Sequence, residues 1–198
     1  MSEKNIGIII LAAGASRRFG SPKQLAKFED KTLIARITKT AISTGFQTAV
    51  VLGANEDRVR KPIENHAPGI VVNKKWKEGL SSSIKAGLEK LLDVNAETEA
   101  VILLLCDQPF VTKETILRLV RAQLETGKVI VACKYANTVG TPALFTAEVF
   151  DELLALVGDK GAKNLIEVYK NRSLAIVAAP EAALDVDTIE DLNRLTGA

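Results

Sequence analysis

A segment rich in small residues and cations follows directly on the first apolar run of the chain, Ile6–Leu11. It reads Ala12-Ala13-Gly14-Ala15-Ser16-Arg17-Arg18-Phe19-Gly20-Ser21-Pro22-Lys23. Small side chains let a backbone approach a phosphate closely, and successive amides in such a turn form an anion-binding nest. Arg17, Arg18 and Lys23 add positive charge to the same segment. We therefore expect it to bind phosphates, the alternative being an ordinary solvent-exposed turn.

Its spacing disagrees with two familiar phosphate-binding motifs. The pattern G-x-x-x-x-G-K-[ST] fails because five residues separate Gly14 from Gly20 and Ser21 follows. The pattern G-x-G-x-x-G fails because Ala12 and Ser16 stand two residues from Gly14. A nucleoside triphosphatase of the P-loop type and a dinucleotide-binding dehydrogenase are both disfavoured.

Acidic residues stand at two further places where a metal ion could bind. Asp107 ends an apolar run, Val101–Cys106, and a carboxylate there can bind Mg²⁺ together with ligand phosphates. Asp185 and Asp187 alternate before a predicted helix. Asp107 could instead form a turn, and Asp187 with Glu190 also resembles a helix cap.

The elements that must position these residues alternate between strands and helices. Continuous apolar runs indicate strands buried on both faces, and apolar residues at helical spacing lie between them. The predicted strands are Ile6–Leu11, Ala49–Leu52, Ile70–Val72 and Val101–Cys106, and the predicted helices Leu33–Ser43, Glu56–Asn65 and Ser81–Leu92. This order is typical of a parallel α/β sheet, whose ligands bind beyond the carboxyl ends of the strands.

The pattern becomes less regular after Asp107. Pro142 predicts that the strand Gly140–Phe145 is an edge strand or is bent, because proline lacks a backbone donor. The other elements predicted here are a helix Lys113–Glu125, a strand Val129–Lys134, helices Ala147–Leu156 and Gly161–Tyr169, a strand Leu174–Ala178 and a helix Thr188–Leu195. No linker interrupts the sequence, so we expect one domain over residues 1–198 with a mixed C-terminal part.

Composition excludes several classes of protein. The 198 residues are 47% apolar, which suits a folded domain, and 26 Lys and Arg oppose 24 Asp and Glu for a net charge of +2. This balance gives no general field for nucleic acid or a membrane surface, so an anionic ligand must be held by local charges. One aromatic residue, Trp76, in a basic stretch gives no series of rings for stacking on single strands.

The scarce residue types point the same way. Two cysteines, Cys106 and Cys133, lie in apolar runs and are predicted to be buried thiols. The apolar start resembles a signal peptide but has a weak basic region, so we expect a cytoplasmic protein without a membrane span. The one histidine, His66, is predicted to lie at the surface, and no nucleophile-and-base arrangement supports acyl transfer.

The segment from Leu11 to Lys23 resembles the opening signature L-A-A-G-x-S-x-R-[FM]-G-x-x-K of nucleotidyltransferases, most closely that of the molybdenum cofactor cytidylyltransferases. The resemblance implies an α/β fold, a Rossmann-like three-layer sandwich with a mostly parallel sheet. It implies that the loop wraps the nucleotide triphosphate, and that Arg18, Lys23 and Asp107 are catalytic. The implied nucleotide-binding residues of the loop are Leu11, Ala12, Ala13, Gly14, Ala15, Ser16, Arg18 and Lys23.

Three later segments are similar to the same family. Asp185-Val186-Asp187-Thr188-Ile189-Glu190-Asp191-Leu192 matches its C-terminal motif, which implies that Asp187 joins Asp107 at the metal and leaves Asp185 open. The stretch from Asn73 to Ser83 implies base or ribose contacts from Asn73, Ser81 and Ser83, although serines at a helix start also act as caps. The implied acceptor-binding residues are Gly140, Pro142, Asp159, Lys160 and Gly161, although the segment from Asp159 could equally be a capped helix start with solvated lysines. Thr141 stands where the family commonly has histidine.

The resemblance implies Mg²⁺-dependent transfer of CMP from CTP to the phosphate of molybdenum cofactor, with release of pyrophosphate. The implied partners are CTP or GTP and a phosphorylated pterin acceptor, with a molybdoenzyme or its chaperone as a further partner. Guanylyl transfer to the same cofactor and nucleotidyl transfer to a sugar or polyol phosphate remain alternatives. A non-catalytic module that binds a nucleotide or the cofactor is an alternative of a different class.

Overall fold

A computed structural model describes residues 5–66 and 69–196. Its centre is a seven-stranded sheet with the order β5-β4-β1-β6-β8-β7-β9. The strands of this sheet are β1 (Ile6–Ala12), β4 (Gln47–Leu52), β5 (Gly69–Val72), β6 (Ala100–Leu105), β7 (Ile130–Tyr135), β8 (Thr138–Thr146) and β9 (Leu174–Ala178). The two remaining described strands, β2 (Lys27–Phe28) and β3 (Lys31–Thr32), form a short hairpin outside it.

Helices cover both faces of the sheet, as the three-layer prediction requires. Within the described residues they are α1 (Leu33–Ile42), α2 (Glu56–Arg60), α3 (Leu80–Val94), α4 (Lys113–Thr126), α5 (Phe150–Ala155), α6 (Lys163–Tyr169) and α7 (Ile189–Thr196). Side chains of α1 and α4 pack in one apolar layer, and those of α3, α5 and α6 in the other. The α/β fold class is confirmed.

Strand β1 shows why its sequence is apolar throughout. Ile8 and Ile10 belong to one apolar layer, whereas Ile9 belongs to the other, and all three are completely buried. A strand covered on both faces has no solvent-facing position, so period-two alternation disappears. β1 pairs in parallel with β4 and with β6, which brings their carboxyl ends to one edge of the sheet.

Strand β8 corrects one of the two alternatives for Pro142. β8 pairs antiparallel with both β6 and β7, so it is an internal strand and the edge-strand alternative is wrong. The bent alternative is right: the register with β7 jumps from Ala132–Ala143 to Cys133–Gly140, so Thr141 and Pro142 lie in a bulge. A bulged residue needs no ladder donor, which is why proline is accepted inside the sheet.

The remaining sequence predictions differ from the structure mainly at element ends. The predicted helix Glu56–Asn65 ends at Arg60, shortly before Pro62, and a separate short turn follows at Glu64–His66. His66 is exposed, and Cys106 and Cys133 are buried free thiols, as expected. None of the helices in the described part of the chain combines the length and the apolar character that a membrane span requires.

Candidate functional site

A groove of about 660 Å³ lies at the carboxyl edge of the sheet, between the loop after β1, the end of β6 and the start of α3. Twelve of the predicted site residues line it, and they come from distant parts of the sequence. These are Leu11, Ala12, Ala13, Gly14, Ala15, Ser16, Arg18, Lys23, Ser83, Asp107, Asp159 and Asp187.

The loop after β1 turns sharply at two positions with left-handed backbone. Ser16 has a φ of 54° and Gly20 a φ of 76°. Only glycine adopts this region without a steric penalty, so Ser16 is the costlier of the two positions. Its hydroxyl donates to the Oε1 atom of Gln24 at 3.2 Å, a side-chain contact that stabilises the turn.

Lys23 connects the two carboxylates that the sequence singled out. Its Nζ atom lies 2.5 Å from Oδ2 of Asp107 and 2.9 Å from Oδ1 of Asp187. Arg18 approaches the other oxygen of Asp187, with Nη2 and Oδ2 2.9 Å apart. The structure therefore brings Arg18, Lys23, Asp107 and Asp187 into one network of two cations and two anions.

The C-terminal segment is held against the end of β6 by its backbone. The amide of Val186 donates to the carbonyl of Asp107 at 2.9 Å, and the Val186 side chain is fully buried. Asp187 reaches Lys23, whereas Asp185 lies exposed outside the groove lining. Desolvation by neighbouring residues of the chain, together with the negative charges of Asp107 and Asp187, raises the pKa of Asp185.

The network also sets the ionisation of two of its members. Partial burial works to raise the pKa of Asp187, but hydrogen bonds and charge from Lys23 and Arg18 outweigh it and hold that pKa below its usual value. Burial works to lower the pKa of Lys23, and the two carboxylates outweigh it and raise that pKa. Both groups are therefore charged around neutral pH, Lys23 as an ammonium and Asp187 as a carboxylate.

The two carboxylates have the donor chemistry to hold a divalent cation. The Oδ1 atom of Asp107 is buried and has no hydrogen-bond partner within residues 5–66 and 69–196, so it has a lone pair available for a cation. The same residues contain no cluster of three or more His, Cys, Asp or Glu that could bind a metal alone. Mg²⁺ commonly takes one or two protein carboxylates together with substrate phosphates and water.

The predicted base-binding residues divide between two places. Asn73 donates through Nδ2 to the hydroxyls of Ser82, at 2.8 Å, and Ser83, at 3.0 Å. Of the three candidates, Ser83 lines the 660 Å³ groove, whereas Asn73 and Ser81 line a second groove of about 760 Å³ on the outer side of α3. Asn73 thus fixes the serine-rich start of α3 from the side of the second groove.

The predicted acceptor residues gather around a smaller cavity of about 210 Å³ that adjoins the groove and shares Leu11, Leu80 and Leu105 with it. Gly140 and Lys160 line this cavity, and Asp159 lines the groove. Pro142 and Gly161 lie outside both linings, Pro142 after a cis peptide bond in the bulge of β8.

Two buried glutamines were missed by the sequence reasoning. Gln24 contacts the loop, and Gln108 donates through Nε2 to the carbonyls of Ala182, at 2.9 Å, and Thr141, at 3.3 Å. Each is only 2% exposed. The available signal was position, because each glutamine directly follows a predicted functional charge, Lys23 or Asp107.

Comparison with protein families and curated proteins finds relatives along nearly the whole chain. Residues 8–175 match the model of the MobA-like NTP transferase domain. The chain is 30% identical to nicotine blue oxidoreductase of Paenarthrobacter nicotinovorans, over 94% of each chain. It is 26% identical to a probable molybdenum cofactor guanylyltransferase of Bacillus velezensis, over 94% of this chain and 92% of the relative.

Solved structures share the fold of this chain. Rv0371c from Mycobacterium tuberculosis H37Rv superposes with a TM-score of 0.82 at 32% identity, covering 100% of both chains. A manganese complex of the same protein superposes with a TM-score of 0.78 at 32% identity, covering 98% of this chain and 100% of the other.

Proposed function

We propose that this chain, which belongs to the family of MobA-like NTP transferase domains, is a Mg²⁺-dependent nucleotidyltransferase that transfers CMP from CTP to the phosphate of a molybdenum-cofactor-type pterin. Pyrophosphate is the second product, and a single domain over residues 1–198 performs the reaction in the cytoplasm. The observation that carries the proposal is the meeting of Arg18, Lys23, Asp107 and Asp187 beside the glycine-containing loop.

In this reaction an acceptor phosphate oxygen attacks the α-phosphorus of the nucleotide in line, and the bond to pyrophosphate breaks. A phosphate anion is already nucleophilic, so the protein must chiefly orient the two substrates and neutralise charge. No general base is required, which agrees with the absence of histidine from the groove lining of the described residues.

The cations of the network would change partners when the nucleotide binds. Lys23 and Arg18 are charge-assisted donors, and phosphate oxygens compete directly with Asp107 and Asp187 for them. Asp107 and Asp187 would then hold Mg²⁺, which supplies further positive charge at the phosphates when bound. Loop amides would bind the charge that develops on the leaving pyrophosphate.

The acceptor is assigned to the 210 Å³ cavity beside the groove. Its walls are largely aliphatic, and its polar residues are Tyr135, Thr138, Thr141, Lys160 and Lys163. An apolar cavity with a few polar groups suits a planar organic ring, and the lysines suit an anionic substituent. A molybdoenzyme or its chaperone would be the protein that receives the product.

The choice of CTP depends on the loop sequence Ala12-Ala13-Gly14, because guanylyl-transferring relatives commonly have a further glycine there. The curated relative from Bacillus velezensis, named as a probable guanylyltransferase, favours GTP instead. We therefore keep GTP as the second candidate nucleotide. A sugar or polyol phosphate is the alternative acceptor.

The decisive experiment measures pyrophosphate release from purified protein with Mg²⁺ and each of CTP, GTP and ATP, with and without molybdenum cofactor. We expect release with CTP that depends on the acceptor. Release with GTP but not with CTP would overturn the assignment of the base. If none of the three nucleotides gave pyrophosphate, a binding module would be favoured.

Two matched variants test the site itself. Asp107→Asn removes a carboxylate from the network and should lower turnover at least 100-fold, in line with losses of one electrostatic group from a transition-state site. Asp151→Asn, an exposed aspartate on α5, should leave turnover unchanged. Full turnover by Asp107→Asn with Mg²⁺ present would contradict the assignment of the metal site.

An oxidoreductase activity is a second candidate, because the relative from Paenarthrobacter nicotinovorans is named nicotine blue oxidoreductase. The similarity to that relative covers 94% of each chain. The missing G-x-G-x-x-G pattern disfavours it. Oxidation of NADH or NADPH by the protein with a nicotine-blue-type dye would support this candidate over nucleotidyl transfer.

A further inference from the structure

Gln24 is a buried amide side chain beneath the loop that follows β1. Its Nε2 atom donates to the carbonyl oxygens of Ala12, at 3.0 Å, and Gly14, at 2.8 Å. Its Oε1 atom accepts from the hydroxyl of Ser16 at 3.2 Å. We propose that Gln24 is a positioning residue that turns the loop amides toward the nucleotide triphosphate, an inference that rests on the proposed function.

The geometry of the peptide bond carries this proposal. In a trans peptide the carbonyl of one residue points opposite to the N–H of the next. Because Gln24 holds the carbonyls of Ala12 and Gly14, the N–H groups of Ala13 and Ala15 point away from Gln24. One carboxamide therefore fixes the direction of two amides.

The peptide between these two is fixed in the same way. The carbonyl of Ala13 accepts from the amide of Ala54 at 3.0 Å, which sets the direction of the Gly14 N–H. The N–H groups of Gly14 and Ala15 donate no hydrogen bond within the described residues. Successive amides that are oriented but unused are the donors that an anion-binding nest requires.

The chemistry of the side chain explains why glutamine is needed. Its NH₂ group supplies two donors and its carbonyl one acceptor, and the loop uses all three. Methionine has a similar length but no donor, and glutamate has the same shape but presents acceptors to two carbonyls. Both replacements would release the carbonyls and let the amides turn.

The test measures affinity for tripolyphosphate in the presence of Mg²⁺ by isothermal titration calorimetry, and KM and kcat for CTP. Loss of one or two charge-assisted hydrogen bonds predicts about a 10-fold to 100-fold weaker affinity in Gln24→Met, with the loss mainly in KM. Gln24→Glu should bind more weakly still. Its deficit relative to wild type should shrink as the pH falls from 8 to 5.5, because a protonated glutamate regains one donor.

A matched control and a structural readout exclude general damage. Gln47→Met removes a single side-chain bond to the carbonyl of Leu91 and should leave the affinity unchanged. Hydrogen exchange of the wild-type and variant proteins should differ in the loop after β1 and agree elsewhere.

The possible failures are distinguishable. Wild-type affinity in Gln24→Met would overturn the positioning role and leave the proposed function intact. If the wild-type protein bound neither tripolyphosphate nor any nucleotide, the proposed function would be overturned, and this inference with it. A loss in Gln24→Glu that does not change with pH would assign the residue to packing instead.

Discussion

Replacing Lys23 with methionine should tighten the binding of a divalent cation by the nucleotide-free protein. Lys23 donates to Asp107 and to Asp187, so its ammonium occupies the position between the two predicted metal ligands. Methionine keeps much of the aliphatic length and removes the charge. The direction of the effect is informative because most substitutions of a binding residue weaken binding.

The magnitude follows from charge and exposure. The Lys23 and Asp107 side chains are 19% and 16% exposed, so the network is only partly screened by water. At about 5 Å and an effective dielectric constant of about 60, an ammonium repels a divalent cation by about 2 kcal/mol, or about 30-fold in affinity. A high effective dielectric constant applies because a lysine side chain can swing away from the incoming ion.

Mn²⁺ is a suitable probe, since unbound Mn²⁺ can be counted directly by electron paramagnetic resonance. We expect Lys23→Met to bind Mn²⁺ about 30-fold more tightly than wild type without nucleotide, and to bind CTP more weakly. Lys77→Met is the matched control, because the Lys77 ammonium lies 5.6 Å from the Trp76 ring centre in the same groove. An unchanged Mn²⁺ affinity in Lys23→Met would refute the prediction that the Lys23 ammonium competes with the cation. An unchanged Mn²⁺ affinity in Asp107→Asn would contradict the assignment of Asp107 as a metal ligand.

Three further predictions concern other residues. Trp76 is the one tryptophan and lines the groove, so saturating CTP should change its fluorescence; binding seen by calorimetry without such a change would contradict its placement. Gly79 has a φ of 102° and an added Cβ would lie 2.5 Å from backbone, so Gly79→Ala should cost about 3 kcal/mol of unfolding free energy. Gly127→Ala, with a φ of 61° and open space, should cost about 1 kcal/mol, and equal losses in urea titrations would refute the steric argument. Burial raises the pKa of Cys133 to about 12 and raises that of Cys106 as well, so both thiols ionise first in the unfolded chain. Their contribution to stability is complete below pH of about 8.5 and is lost as the pH rises toward the folded values, so the Cys106→Ala/Cys133→Ala variant should show a flatter alkaline decline.

The fold could be predicted largely from the sequence because its strands carry a strong signal. Ile6–Leu11 and Val101–Cys106 are apolar at every position, and the structure has β1 and β6 there with parallel pairing. Strand order and direction carry no such local signal. The insertion of β8 between β6 and β7 depends on long-range pairing, which the pattern around Pro142 could not show.

The site was predictable where the chemistry requires charge. Lys23 was singled out by its charge in the basic loop, Asp107 by its place at a strand end and Asp187 by the family resemblance, and the structure brings their side chains into contact. Gln24 and Gln108 were not, because an uncharged amide is most often exposed and its role depends on carbonyls that the fold supplies. The nucleotide-binding and acceptor-binding roles of the predicted site residues are predictions that the experiments above test.

Because of the direction of β8, different parts of the chain line the two cavities. β8 is the one strand of the described sheet that runs against the others, so the β7–β8 hairpin turns at the carboxyl edge and Thr138 to Thr141 line the smaller cavity. The groove is lined instead by the loop after β1 and the end of β6. Exchanging the hairpin between relatives should therefore reshape the smaller cavity while the charged groove keeps its residues. Substitutions can then change the shape of one cavity without changing the residues of the other.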